Sequence, residues 1–253
     1  MSRFLADTPT IVMTGARGAF AAAHAPLDRM GMHWVDAPLL SFEPPEDWRD
    51  FDAALARLGD YGAAAFTSPR AAVAFVERAR LHALRPTGAE FWAGGEMTAA
   101  PIRELGVDVR LPAVRPSANV GLAASLANGM LAADVRGPVL FPCGSLHLDE
   151  LPARLRAARY HVDEVICYRS VVADDEMVRD AIALGDVLVV TSPSVARRIA
   201  ALRPTADPPL LVAVGPSTAA AADAHGWAPD AILDQPSADS LVKLFEYGAG
   251  ART

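Results

Sequence analysis

Lysine is nearly missing from this chain: Lys243 is the one lysine among 23 basic residues. The Ala-, Arg- and Pro-rich usage around it reads as genomic base composition rather than a functional choice. Cysteine is as scarce. Cys143 and Cys167 are too few for a disulfide framework and lack metal-ligand spacing; both read as small, buried apolar residues. Positive charge is in deficit, with 23 basic against 30 acidic residues and a net charge of −7, which argues against nucleic acid or an anionic membrane as a partner. No window approaches the ~20 apolar residues needed to span a bilayer. Met1–Thr10 has no apolar h-region, so no signal peptide is expected and the chain reads as soluble and cytoplasmic.

Catalytic signatures are missing too. There is no phosphate-loop G-x-x-x-x-G-K-[ST], no G-x-G-x-x-G after a strand, no G-x-S-x-G and no H-E-x-x-H. Gly15-Ala16-Arg17-Gly18 loosely suggests a phosphate loop, but the three-glycine spacing fails. Six histidines (His24, His33, His82, His147, His161, His225) show no i, i+4 pairing, so surface or capping roles are expected and no metal site. His147 follows a Gly144-Ser145 turn and is the one placed to line a cleft.

What is present is a repeat. Phe66-Thr67-Ser68-Pro69-Arg70-Ala71 returns as Val190-Thr191-Ser192-Pro193-Ser194-Val195. Gly95-Glu96-Met97-Thr98-Ala99-Ala100 returns as Gly215-Pro216-Ser217-Thr218-Ala219-Ala220, and Pro116-Ser117-Ala118-Asn119 as Pro236-Ser237-Ala238-Asp239. Copies this far apart imply two similar α/β domains rather than a short-period solenoid. With 52% hydrophobic residues over 253 positions, two cores of ordinary size can be filled.

Short apolar runs alternate with segments of helical length. Ile11-Val12-Met13, Ala63 to Phe66, Val139-Leu140-Phe141, Val187 to Val190 and Leu210 to Val214 are nearly continuous in apolar character. That suggests strands buried on both faces, as in parallel sheets flanked by helices. Each run ends in a small or hydroxyl residue placed to cap a following helix. Val139-Leu140-Phe141-Pro142-Cys143-Gly144 resembles Ile11-Val12-Met13-Thr14-Gly15-Ala16, and His161-Val162 and His33-Trp34 follow at the same spacing, each opening a new strand. The first unit therefore belongs with the last three, and the middle four form an insertion. Domain 1 is expected to be residues 1–38 plus 171–253, and domain 2 residues 41–166. Both are parallel-sheet α/β domains of flavodoxin-like or Rossmann-like kind. Two crossover segments, near 38–41 and 166–170, would join them, with a ligand cleft between.

Helix N-termini at the carboxyl edge of a parallel sheet favour anions through free N–H groups and the helix dipole. The candidate ligand contacts are therefore the turn residues: Thr14 and Arg17; Thr67 and Ser68; Thr98; Gly144 and Ser145; Thr191 and Ser192; and Gly215, Ser217 and Thr218. Tyr168 sits in the second crossover rather than in either core, where a phenol could pack between domains or act as a general acid to a leaving group. Phe20, Phe42, Trp48, Phe75 and Trp92 read as packing residues.

In order and spacing, these motifs resemble the uroporphyrinogen-III synthase family. They are the strand ending at Thr14, Phe66 to Ala71, Thr98-Ala99 with Leu105-Gly106, Val139 to Pro142 with Gly144, Val165 to Val171, Thr191 to Ser194, and Val214 to Ala219. The resemblance covers Ile11 to about Phe245. It implies two α/β domains joined by a two-stranded crossover. It also implies conversion of linear hydroxymethylbilane to uroporphyrinogen III with loss of water and inversion of ring D, by a monomer that needs no cofactor or metal. That substrate carries eight carboxylates. Tyr168 matches the family tyrosine proposed to assist departure of the hydroxyl group. The sequence departs at two places. Gly15 follows the first-strand threonine where the family often has arginine, with Arg17 two residues on. Cys143 and Ser145 flank Gly144 where members often carry a charged residue. Two other readings stand beside this one: a two-lobed binding protein or tetrapyrrole-binding paralogue without catalysis, and a sensor pair from a DNA-binding regulator.

Overall fold

A computed structural model describes residues 8–113 and 121–250, without the side chains of 247–250. The Pro116–Asn119 copy of the third repeat lies outside these residues. The chain forms two compact units, residues 1–41 with 171–253, and residues 42–170. In chain order the strands are β1 (Thr10–Met13), β2 (His33–Asp36), β3 (Leu40–Glu43), β4 (Ala63–Phe66), β5 (Glu90–Ala93) and β6 (Val109–Arg110). They continue as β7 (Val139–Gly144), β8 (Val162–Val172), β9 (Val187–Val190), β10 (Leu210–Ala213) and β11 (Ala231–Ile232).

One sheet runs β11-β10-β9-β1-β2 and the other β3-β8-β7-β4-β5-β6. With β3 set aside, the second reads β8-β7-β4-β5-β6, the same arrangement strand for strand. The flavodoxin-like order 2-1-3-4-5 is visible in the first sheet, where β2 lies outside β1 and β9 to β11 follow on its other side. The pairs β1–β2, β1–β9, β9–β10, β4–β5, β4–β7 and β7–β8 are parallel. The α/β class with parallel sheets expected from the apolar runs is what the chain forms. β7 and β8 stand in the second sheet where β1 and β2 stand in the first, as the pairing of their sequences predicts.

Burial explains why the central strands do not alternate apolar and polar residues. In β4, Ala64 and Phe66 pack on one face of the sheet and Ala63 and Ala65 on the other, all four fully buried. Both faces are covered, so both need apolar side chains. The repeat is also written in burial: residues 91–100 and 211–220 share one position-by-position pattern of exposure.

The helices that follow these strands begin as the Thr-Ser-Pro turns predict. Ser68 caps α3 (Pro69–Leu81), its Oγ accepting from the Arg70 N–H, and Ser192 caps α8 (Pro193–Ala201), accepting from the Val195 N–H. Proline stands at the first helical position of both, where no N–H is needed. Phe75 of α3 packs edge-on against Phe66 of β4 and Phe91 of β5, with ring centroids 5.2 and 5.8 Å away. Each such pair adds about 1 kcal/mol beyond area burial and holds α3 to the sheet.

The capping expectation fails at two turns. After β1 no helix starts at Thr14; a turn leads to a short 3-10 segment at Ala21–Ala23. The Thr14 hydroxyl donates instead to the Val189 carbonyl at 2.9 Å, tying β1 to β9. After β7 the next helix begins only at Glu150. Helices Glu96–Arg103 and Pro216–Asp223 are capped by Gly95 and Gly215, without side-chain help. No helix among the described residues is long and apolar enough to cross a membrane.

β8 is anchored near its start by Asp163, which accepts from the Tyr61 hydroxyl at 2.6 Å and from Arg57 at 2.8 Å. The Tyr61 hydrogen bond, with help from His161 and Arg57 against the cost of burial, holds the Asp163 carboxyl below the usual carboxylate value. A depressed folded-state value stabilises above the unfolded value of about 3.9 and is lost as pH falls through the folded one. Asp163→Asn should therefore unfold in less urea than wild type at neutral pH, with the gap closing below about pH 4. A gap of constant size at every pH would contradict this.

Candidate functional site

Tyr168 owes its position to a break in strand register. β7 and β8 pair in step from Val139↔Val162 to Cys143↔Ile166, and then Gly144 pairs with Tyr168. Cys167 is the extra residue, and such a bulge re-aims the side chains beyond it. Up to this point β8 alternates, with Val162 and Ile166 on one face of the sheet and Val165 and Cys167 on the other. Tyr168 then packs on the same face as Cys167, which strict alternation forbids. This is the face covered by α3.

Gly144 makes room for the ring. A methyl group built there would lie 2.4 Å from two Tyr168 ring carbons and 2.7 Å from the phenol oxygen. The half-buried Tyr168 hydroxyl donates to Ser68 Oγ at 3.2 Å. Because Ser68 Oγ accepts from Tyr168 and from the Arg70 N–H, its own proton stays free to donate. Burial raises the phenol above the ordinary tyrosine value, offset in part by the Ser68 hydrogen bond and by the charge of Arg70. The group is thus a neutral donor at physiological pH, the form an acid needs.

The neighbouring turn is tied to the same strand. The Ser145 N–H donates to the Tyr168 carbonyl at 3.0 Å, and Ser145 Oγ accepts from the Ser170 N–H at 3.1 Å. His147 has both ring nitrogens engaged inside the unit, one at 2.9 Å from the Gly144 carbonyl and the other at 2.5 Å from Glu164. Burial pushes the Cys143 thiol up to about 12, and it raises Cys167 as well, so neither is a nucleophile.

The parallel order collects the remaining candidates by unit. In residues 42–170, β7, β4 and β5 are adjacent, so Gly144, the Thr67-Ser68 turn and Gly95 with Thr98 lie along one carboxyl edge. In the other unit β1, β9 and β10 align Thr14, Thr191-Ser192 and Gly215 with Ser217 and Thr218 in the same way. There Thr191 and Ser192 are half-buried, Ser217 and Arg17 are exposed, and Thr218 is buried. These edges are the topological switch points of the two sheets, β1/β9 and β7/β4, where open α/β sheets bind ligands. Gly15 has a packing reason: a methyl there would meet the Thr191 side chain at 2.8 Å, so an arginine at this position would displace Thr191.

Sequence reasoning passed over two residues at this edge. Phe42, read as packing, is half-buried with its ring edge-on to Tyr168 at 5.9 Å. Arg70 lays its guanidinium over Phe42, 3.7 Å from the ring centroid. The signal for Arg70 was available, since the repeat has Ser194 at the matching position. Among the described residues no group of three or more His, Cys, Asp or Glu side chains is arranged to hold a metal ion.

The family model described as uroporphyrinogen-III synthase HemD matches residues 21–243. The chain belongs to the uroporphyrinogen-III synthase family. Its fold is that of solved members. A mutant uroporphyrinogen III synthase from the extremely thermophilic bacterium Thermus thermophilus is 17% identical with a TM-score of 0.67, over 96% of this chain and 100% of that chain. The uroporphyrinogen-III synthetase of Helicobacter pylori is 16% identical with a TM-score of 0.63, over 94% of this chain and 99% of that one. At such identity the likeness is one of fold. No curated protein matches the chain.

Proposed function

We propose that the chain cyclises linear hydroxymethylbilane to uroporphyrinogen III as a hydro-lyase, with Tyr168 as the acid that assists loss of the hydroxyl group. The observation that carries this reading is the Tyr168 phenol itself. It is re-aimed by the bulge and given space by Gly144. Donation of its proton lets the hydroxyl leave as water and turns the terminal pyrrole into an azafulvene. The electrophilic carbon is then attacked at ring D to give a spiro intermediate, whose rearrangement inverts that ring. Loss of a proton from the closing pyrrole restores the aromatic ring and balances the one Tyr168 gave.

General acid catalysis supplies roughly 10²–10⁴-fold. Selectivity comes from holding a reactive chain in one geometry, where effective molarities reach about 10⁵–10⁸ M. That division of labour agrees with a site built of turns, hydroxyls and backbone amides rather than a catalytic triad. Each carboxyl edge offers groups suited to carboxylates: Thr67, Ser68 and Ser145 in the 42–170 unit, and Thr191, Ser192, Gly215 and Ser217 in the other. Backbone N–H groups suit this task in a chain of net charge −7. The same charge fits a cytoplasmic monomer with no nucleic-acid partner. No observation favours a non-catalytic binding role. The test is product identity: supplied with hydroxymethylbilane, the protein should release the type III isomer, and type I alone would refute the reading.

A further inference from the structure

Beside Tyr168 lies a groove of about 350 Å³ whose walls belong wholly to the 42–170 unit. Phe42 and Trp48 line it together with Arg70 and Val73 from the first turns of α3, and Cys167 and Tyr168 of β8 line it as well. Ion pairs fix the end of β3 and the segment after it, including Glu43, which also lines the groove. Arg169 of β8 pairs with Glu43 at 2.8 Å and with Glu46 at 2.6 Å, keeping the segment after β3 against β8. Arg78 lies over the Trp48 ring at 4.6 Å and pairs with Asp52. Arg70 differs from these. It stacks on Phe42 but makes no ion pair among the described residues. Stacking covers one flat face of a guanidinium and leaves its in-plane N–H fork open, the geometry that receives a carboxylate. Val73 is 42% exposed, an apolar side chain lining the groove without a core partner.

We infer that this groove is a subsite for a single pyrrole ring bearing carboxylate side chains, held beside Trp48 and Val73 with one carboxylate on Arg70. An aromatic slot with one unpaired cation at its rim matches a flat, electron-rich ring with an acidic arm. Glu77 on the α3 wall is an acceptor of the kind a pyrrole N–H seeks. The choice of ligand class rests on the proposed function; the slot, the stack and the free fork do not. Placed here, the ring lies against Tyr168, and Arg70 would fix which part of the substrate meets the phenol.

The test is binding without turnover. A monopyrrole carrying one acetate and one propionate, added at millimolar concentration, should saturably shift the Trp48 indole resonance, assigned through Trp48→Phe. Arg70→Ala should weaken this binding about tenfold, as loss of a charge-assisted pair does, with Arg70→Lys in between. Val73→Trp should abolish it by filling the slot, and far-UV circular dichroism should show that all three variants keep the fold. No shift at Trp48 in wild type, or wild-type affinity in Val73→Trp, overturns the subsite. The two proposals fail separately. Groove binding in a protein that makes no type III product removes the function and keeps the subsite. Type III synthesis at wild-type KM by Val73→Trp keeps the function and removes the subsite.

Discussion

Tyr168→Phe is expected to lower kcat for hydroxymethylbilane at least 100-fold, on the scale of roughly 10²–10⁴ for a lost general acid. The substitution removes one oxygen and one hydrogen bond, that to Ser68 Oγ at 3.2 Å. The ring still packs beside Cys167 and edge-on to Phe42. A typical hydrogen bond contributes about 1 kcal/mol net, so the melting temperature should change by no more than a few degrees while the rate falls steeply. Ser68→Ala separates the two roles of this contact. It deletes the cap of α3 at a cost of about 1 kcal/mol yet leaves the phenol in place, so kcat at saturating substrate should stay within a few-fold of wild type while KM rises with the lost carboxylate contact. Steady-state kinetics on the two variants decides the matter. Equal rates for Tyr168→Phe and wild type would remove the phenol from the chemistry.

Gly62→Ala is expected to be the most damaging small change in the 42–170 unit. A methyl at Gly62 would fall 1.6 Å from the Arg136 carbonyl oxygen and 2.5 Å from its carbon, atoms of the main chain that cannot swing away. The residue is held in place on both sides. Its N–H donates to the Pro138 carbonyl at 2.8 Å and its carbonyl accepts from the Glu90 N–H at 2.9 Å, just before β4 joins β7 and β5. Relieving the overlap must shift the central strand, at a cost of about 3 kcal/mol or more. That corresponds to a fall in melting temperature of about 10 °C for a unit of this size. Gly95→Ala is the control. A methyl there meets nothing within 4 Å and the backbone is extended, so the change should cost under about 1 kcal/mol. Thermal unfolding that finds Gly62→Ala as stable as Gly95→Ala would contradict the close approach of Gly62 to Arg136.

The parts of the architecture that could be read from residues alone are those governed by local chemistry. Continuous apolar runs, Ser-Pro caps and the pairing of Val139 to Gly144 with Ile11 to Ala16 lead directly to two parallel sheets of matching order. The site was legible only in part. Tyr168 was singled out because it sits in the second crossover, but its aim depends on a bulge. That bulge is set by how β7 and β8 settle against each other, and no residue type announces it. Thr14 shows the opposite: a threonine ending a strand looks like a helix cap, yet its hydroxyl closes a hydrogen bond within the sheet. Gly15 looked like a family arginine lost, whereas Thr191 fills the space a side chain would need. Arg70 was hidden inside a motif treated as a repeat, and its place over Phe42 follows from contacts far apart in sequence.

The most direct test of the central claim is the isomer composition of the product as a function of enzyme concentration. Hydroxymethylbilane closes unaided to the type I isomer, so enzyme and spontaneous reaction compete for one substrate. With the wild-type chain the type III fraction should rise with enzyme concentration until type I is no longer detected, and with Tyr168→Phe the same curve should move to far higher protein concentration. Type I as the sole product at every concentration of the wild-type chain would contradict the claim.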